Sequence, residues 1–210
     1  MLSLSELTNQ FSAVINNAKQ HVTLILQLIA GLWIFNLINW STGSILNILG
    51  TIPRSKRGIL GIFFSFIVHG NFNHLFFNSI PLFTLSLVLI SFNKTIFLNA
   101  SILIIFLEGL SVWLFARRGN HIGASGVVAG YFGFALIFAY KSATIVSIFL
   151  GLIIFYYFGG ILLSFFPNEA KTSWEAHLFG FLAGIASFLI IFDYKILPIN
   201  YLQDLLSKIN

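Results

Sequence analysis

The serine at position 125 stands among small residues, in the stretch Gly123-Ala124-Ser125-Gly126. Small neighbours leave a hydroxyl group accessible and let another helix or a substrate backbone come close. The pattern is weak by itself, because small residues recur in membrane helices for packing alone. A serine hydroxyl becomes a useful nucleophile only when a base removes its proton, and a neutral imidazole is suited to this near pH 7. Ser125 therefore needs a histidine from elsewhere in the chain.

A suitable histidine follows about fifty residues later, in a second apolar stretch. Gly180 and Gly184 stand three and seven positions after His177, which places all three residues on one face of a helix. Two smooth glycine faces can approach closely, as a hydrogen bond between Ser125 and His177 on separate helices requires. The glycines expected to allow close packing of helices in the bundle are Gly123, Gly126, Gly130, Gly180 and Gly184.

Acyl transfer also needs hydrogen-bond donors for the developing oxyanion. His74 and Asn78 are four positions apart, on one helical face, and the main-chain N–H of Ser125 at a helix start could be another donor. A third, orienting carboxylate is missing, because Glu175 is two positions from His177 and points away from it. The pattern predicts a Ser-His dyad, with Glu108 as a neutral or paired structural carboxyl.

The composition shows which elements must position these residues. Of the 210 residues 58% are hydrophobic and only 8% are charged, and the mean hydropathy is +0.94. These values predict an integral membrane protein that forms a single domain over residues 1–210. The net charge of +5 is spread over loop ends, where it suits lipid headgroups, and no basic cluster suggests nucleic acid.

The apolar runs predict an all-α bundle of six transmembrane helices after an amphipathic surface segment at residues 1–20. Residues 41–73 are too long for a simple turn and too broken by glycines for one span, so we expect a loop lying partly in the membrane. The tail from Asp193 is expected to lie on the surface. The predicted spans are 22–40, 74–92, 95–115, 122–140, 143–166 and 174–192.

Antiparallel threading of these spans places the candidate residues at one depth. Spans two, four and six begin on the same side of the membrane, and His74, Ser125 and His177 each lie within about one turn of those beginnings. The basic residues are divided almost evenly between the two sides, so charge does not set the orientation.

Three sequence motifs that follow one another on alternate spans resemble those of the rhomboid family of intramembrane serine proteases. The resemblance covers roughly Pro53 to Leu189. The motifs are His74 with Asn78 (H-x-x-x-N), Gly123-Ala124-Ser125-Gly126 (G-x-S-G) and His177 with Gly180 and Gly184. The resemblance implies Ser125 as nucleophile, His177 as general base and then acid, and His74, Asn78 and backbone amides as the oxyanion hole. It also implies single-span membrane proteins as substrates, no metal or cofactor, a bacterial inner membrane, a cytoplasmic N-terminus and an outward-opening site.

The chain departs from the family pattern at two places. Leu60-Gly61 stand where many members carry a Trp-Arg pair, with Arg57 displaced, and Ala129 stands where an aromatic residue often packs beside the histidine. A looser His177 ring keeps open the alternative of a weak or inactive rhomboid-like scaffold that binds transmembrane helices. A small transporter is a third alternative, ranked last because the ionisable residues cluster near one face. The natural substrate and the oligomeric state are not readable from the sequence.

Overall fold

The computed structural model describes residues 3–166 and 173–192. Throughout these residues the ordered elements are helices, and the only β-type pairing within them is an isolated bridge between Thr51 and His121. The expectation of an all-α fold is confirmed. The tail from Asp193, predicted to lie on the surface, is outside the described residues.

In the described part of the chain the α-helices are α1 (Leu4–Ser41), α2 (Gly61–Phe64), α3 (Phe72–Phe92), α4 (Lys94–Phe115), α5 (Ser125–Ser142), α6 (Ile145–Phe158) and α7 (Trp174–Phe192). Among the same residues three short 3-10 helices lie between α1 and α3, and a fourth follows α6. Five helical segments in this part are long and apolar enough to cross a membrane, namely α1, α3, α4, α7 and α6 with its extension to Phe165. A multi-pass membrane protein is thereby confirmed. The helix α5 is not among the five, so the count of six spans stays a prediction.

Helix α1 is longer than the sequence predicts. It has 38 residues, begins with a capping box between Ser3 and Glu6, and joins the predicted surface segment to the first predicted span. No glycine or proline lies near residue 21 to interrupt it. At 1.5 Å per residue the helix is about 57 Å long, well beyond the 30 Å hydrocarbon core of a bilayer.

The connection between α1 and α3 is a compact loop that is fastened to α4. The Arg54 guanidinium donates hydrogen bonds to the carbonyl oxygens of Leu114 (2.8 Å) and Ala116 (2.9 Å), which caps the C-terminal end of α4. The Trp113 indole N–H donates to the Ser55 carbonyl at 3.0 Å. The loop therefore keeps a fixed position beside the start of α5. Its placement partly within the membrane stays a prediction.

Helix α5 forms the centre of the bundle. Its residues from Gly126 to Ala135 are all buried, with Phe132 and Phe134 among the largest fully buried side chains. It packs most extensively against α7 and also contacts α3, α4 and α6. Ser125 and His177 therefore lie on α5 and α7, the two helices that pack most extensively against each other.

Helix α6 ends before the predicted fifth span does. The α-helix stops at Phe158, and Gly159–Phe165 continue as a 3-10 helix that begins with the pair Gly159-Gly160. Glycine favours such a change because it adds backbone freedom and weakens the α-helix. The Phe165 ring contacts Phe181 of α7 with ring centroids 5.2 Å apart. This non-α segment therefore lies against the helix that carries His177.

Candidate active site

The structure brings the four predicted site residues together. Ser125, His177, His74 and Asn78 all line one cavity of about 670 Å³. Ser125, His177 and His74 come from the first turns of α5, α7 and α3, as the threading argument predicts, and Asn78 comes from the second turn of α3. The outer part of the cavity is lined by the exposed residues 117–120, so it opens at the surface at this end of the bundle.

The side chain of Asn78 places a buried hydrogen-bond donor at this cavity. Helix α3 begins after Asn71, whose side-chain oxygen accepts the His74 N–H at 2.9 Å. This cap fixes the first turn, which carries His74, and Asn78 follows one turn later on the same face. The Asn78 amide nitrogen is buried and has no partner among the described residues. A buried donor without a partner costs about 1–3 kcal/mol, so its retention suits a group that meets an oxyanion.

Gly123 lets the His74 ring lie beside the serine loop. Its φ of +116° is in the region that favours glycine. A Cβ at this position would lie only 2.6 Å from two atoms of the His74 ring and 3.6 Å from the Asn78 amide nitrogen. Gly123 therefore lets α3 come close to the loop before Ser125.

The other four glycines lie at the contact between α5 and α7. A Cβ on Gly180 would overlap the Gly126 carbonyl oxygen, and a Cβ on Gly184 would overlap the Gly130 carbonyl oxygen. The two backbones can approach this closely only because these positions lack side chains. Ser125 precedes Gly126 by one residue and His177 precedes Gly180 by one turn, so the contact holds both side chains at the same cavity.

Ser125 is half-buried at the first residue of α5. Its main-chain N–H has no acceptor among the described residues, since the fourth preceding residue lies outside the helix. In the same part of the structure no hydrogen bond joins the Ser125 hydroxyl to the His177 ring. Hydrogen bonds between catalytic groups are often longer without substrate and tighten when it binds.

His177 has a main-chain acceptor where a catalytic triad would have a carboxylate. Its Nδ1 lies 3.4 Å from the Ser164 carbonyl oxygen, in the 3-10 segment Gly159–Phe165. A carbonyl oxygen can only accept, so this contact favours a proton on Nδ1 and leaves Nε2 able to accept a proton. The sequence carries no signal for this contact, because any residue type supplies a carbonyl. Ala129, where an aromatic residue was expected beside the histidine, is fully buried.

His69 has a role that the sequence analysis missed. Its Nε2 accepts the Ala124 N–H at 3.2 Å, and its ring contacts the His74 ring with centroids 5.0 Å apart. Burial, and then the neighbouring His74, lower the pKa of His69 to about 3, so it is neutral and can accept. His69 thus links the loop to α3 and to the residue before Ser125. The only sequence signal for this link is the position of His69, five residues before His74.

The two buried acids lie next to the site without lining the cavity. Glu175 points away from His177, as predicted, and its carboxylate lies 3.3 Å from both the Arg117 side chain and the Arg117 main-chain N–H. Glu108 is 8% exposed, and its carboxyl group lies so close to Gly126 that a Cβ there would overlap it. Both positions agree with structural roles.

A second cavity, at the outer side of the bundle, is also lined by Ser125 and His177. It has a volume of about 500 Å³ and lies between α3 and the α6 segment. Ser125 and His177 line it together with Phe77 and Tyr157, whose side chains are 69% and 72% exposed. The site can thus be reached both from the surface and sideways between two helices.

Comparison with known protein sequences identifies the family of this chain. A sequence model of the rhomboid domain matches residues 56–194, which is more than half of the chain. Uncharacterised proteins of Mycobacterium tuberculosis and Mycobacterium bovis are each 34% identical over 174 residues, which is 79% of this chain and 72% of the relative. An uncharacterised protein of Mycobacterium leprae is 28% identical over 172 residues, 78% of this chain and 68% of the relative. This chain belongs to the rhomboid family.

Proposed function

We propose that this protein is an intramembrane serine endopeptidase that cleaves transmembrane segments of other membrane proteins with a Ser125-His177 dyad. The observation that carries the proposal is the shared cavity, where a serine, a histidine and donors without partners meet. Membership of the rhomboid family supports the same reaction class. The resemblance also favours a bacterial inner membrane with the site facing outward.

In the proposed reaction His177 Nε2 takes the proton of the Ser125 hydroxyl as Oγ attacks the carbonyl carbon of the scissile bond. The tetrahedral oxyanion accepts hydrogen bonds from the Ser125 N–H, the Asn78 amide and His74. The C–N bond then breaks, and His177 donates its proton to the leaving amine. Water entering by the surface cavity hydrolyses the acyl-enzyme, with His177 again as base.

The cavity between α3 and the α6 segment suggests how the substrate arrives. Its exposed apolar side chains suit a transmembrane helix, whereas the polar surface cavity suits water. A peptide bond inside a helix is shielded by its own hydrogen bonds, so the substrate must unwind locally before Ser125 can attack. Helices with glycine or proline near the membrane surface are the expected substrates.

The test is cleavage of a helix-destabilised single-span reporter by the purified protein in vesicles. We expect Ser125→Ala to abolish cleavage while leaving the thermal unfolding temperature unchanged, since the Ser125 hydroxyl makes no hydrogen bond to the described residues. Cleavage by the Ser125→Ala variant at the wild-type rate would refute the proposal.

A second candidate is a catalytically weak or inactive scaffold that binds transmembrane helices. The missing Ser125-His177 hydrogen bond and the small residue at Ala129 favour it. The two candidates differ in how the wild-type protein treats the reporter. A scaffold holds the reporter intact, and its binding survives Ser125→Ala unchanged.

A further inference from the structure

The outer part of the catalytic cavity carries positive charge. Arg117 and Arg118, in the loop between α4 and α5, line the cavity together with Ser125 and His177. No aspartate or glutamate is among the described residues that line it. A cleft lined by one sign of charge concentrates its field on whatever enters. A substrate segment in this cavity therefore meets two guanidinium groups close to the reacting bond.

The loop that carries the arginines is held firmly in place. The His121 ring bonds Ser173 Oγ at the start of α7 (2.6 Å) and the Arg117 carbonyl oxygen (2.9 Å). The main chains of His121 and Thr51 exchange two hydrogen bonds of 2.9 Å. The backbone that carries Arg118 is therefore held in place, which keeps this side chain at the cavity that it lines.

The two arginines differ in how they are engaged. The Arg117 side chain lies 3.3 Å from the Glu175 carboxylate, which is 5% exposed and part of α7. Arg118 is exposed, and no hydrogen bond or ion pair reaches its guanidinium from residues 3–166 or 173–192. Its planar group can bind a carboxylate through two parallel N–H bonds.

Another basic pair of the same protein has different surroundings. Lys56 and Arg57 are exposed beside the exposed apolar residues Ile59 and Leu60, and neither lines the cavity. Such a mixture suits lipid headgroups. Arg118 lies among polar cavity residues instead, which favours a peptide over a lipid.

We propose that Arg118, assisted by Arg117, makes the protein select substrates with an aspartate or glutamate in the segment next to the scissile bond. This inference rests on the proposed function, and it names the class of substrate. An ion pair between an exposed arginine and a substrate carboxylate in a partly enclosed cavity is modest in strength. We expect it to raise kcat/KM for the acidic substrate about fivefold over that for a neutral substrate.

The test uses single-span reporters in phosphatidylcholine vesicles, with Asp or Asn at each of four positions on either side of the cut. We expect wild-type protein to cleave at least one Asp reporter about fivefold faster than its Asn partner. Arg118→Glu should remove that preference and favour Lys at the same position. Arg57→Glu is the matched control, and it should keep the preference for Asp.

Binding of the same reporters to the Ser125→Ala variant separates the two proposals. Tighter binding of Asp than Asn reporters without cleavage by wild-type protein would refute the protease and uphold the selection. Equal cleavage and binding of all Asp and Asn pairs would overturn the selection and leave the protease intact. Arg118→Glu slowing Asp and Asn reporters equally, and only when anionic lipid is added, would overturn it in favour of headgroup binding.

Discussion

Asn78 shows most clearly how a single side chain can reveal a reaction. Its amide nitrogen is buried and has no hydrogen-bond partner within residues 3–166 and 173–192. The Ser125 N–H is equally without an acceptor among the described residues. Two unused donors at one cavity, next to His74, make a place that a negatively charged oxygen would fill.

Replacement of Asn78 tests this directly. We expect Asn78→Ala to lower kcat by about 10²-fold with little change in KM, because the donor acts on the transition state. Steady-state kinetics with the reporter measure this. Ser79→Ala, at a buried neighbour whose hydroxyl faces Leu75 and Trp33, is the control and should keep kcat. A KM increase with unchanged kcat would assign Asn78 to substrate binding alone.

His69 offers a test of positioning. The substitution His69→Phe keeps the ring volume but removes the acceptor for the Ala124 N–H. We expect the free energy of unfolding to fall by about 1–3 kcal/mol, since a buried donor loses its partner. Unfolding in mixed micelles measures this, with His21→Phe on α1 as the control. An unchanged free energy of unfolding would show that the His69 contact does not hold the serine loop.

At the scale of elements, the contact between α5 and α7 determines whether the dyad can form. A Cβ on Gly180 would overlap the Gly126 carbonyl, whereas a Cβ on Gly31 of α1 would meet nothing within 4 Å. We expect Gly180→Ala to destabilise the fold by about 1–3 kcal/mol and to reduce cleavage, because the helices must separate.

The control variant Gly31→Ala should leave both properties unchanged or raise stability slightly, since alanine favours helix. Unfolding and cleavage are measured on the same preparations. If Gly180→Ala behaved like Gly31→Ala, close packing of α5 on α7 would not be needed for the site.

The sequence predicted those parts of the site that depend on residue type. Glycine spacing indicated the α5–α7 contact, and helix starts placed His74, Ser125 and His177 at one depth. It could not predict the contact between His177 and the Ser164 carbonyl, because main-chain groups carry no sequence signal. It also missed the continuity of α1 and the change at Gly159-Gly160, since hydropathy marks apolar length and not where one type of helix becomes another.

At the scale of the whole molecule, the loop between α1 and α3 joins the bundle mainly through α4. Arg54 has a φ of +55° and donates two charge-assisted hydrogen bonds to the end of α4, so it is one of the residues that attach the loop there. Ser65 of the same loop accepts a hydrogen bond from the Gly123 N–H, so the loop lies next to the start of α5.

Loss of the Arg54 hydrogen bonds should make the loop more accessible to a protease. We expect Arg54→Gln to make trypsin cut after Lys56 or Arg57 about tenfold faster, because local opening becomes less costly. Limited proteolysis followed by mass spectrometry measures the rate at both sites. Lys94→Gln, at the opposite end of α4, is the control and should not change it. Equal rates for Arg54→Gln and wild type would show that other contacts hold the loop.

The central claim is that Ser125 is a nucleophile activated by His177. Its most direct test is the intact mass of the protein after treatment with a fluorophosphonate, which reacts only with an activated serine. The account predicts one adduct per chain, located on Ser125 by fragmentation and lost in both Ser125→Ala and His177→Ala. An adduct that persists in His177→Ala, or the absence of an adduct on wild-type protein that binds the reporter, would contradict it.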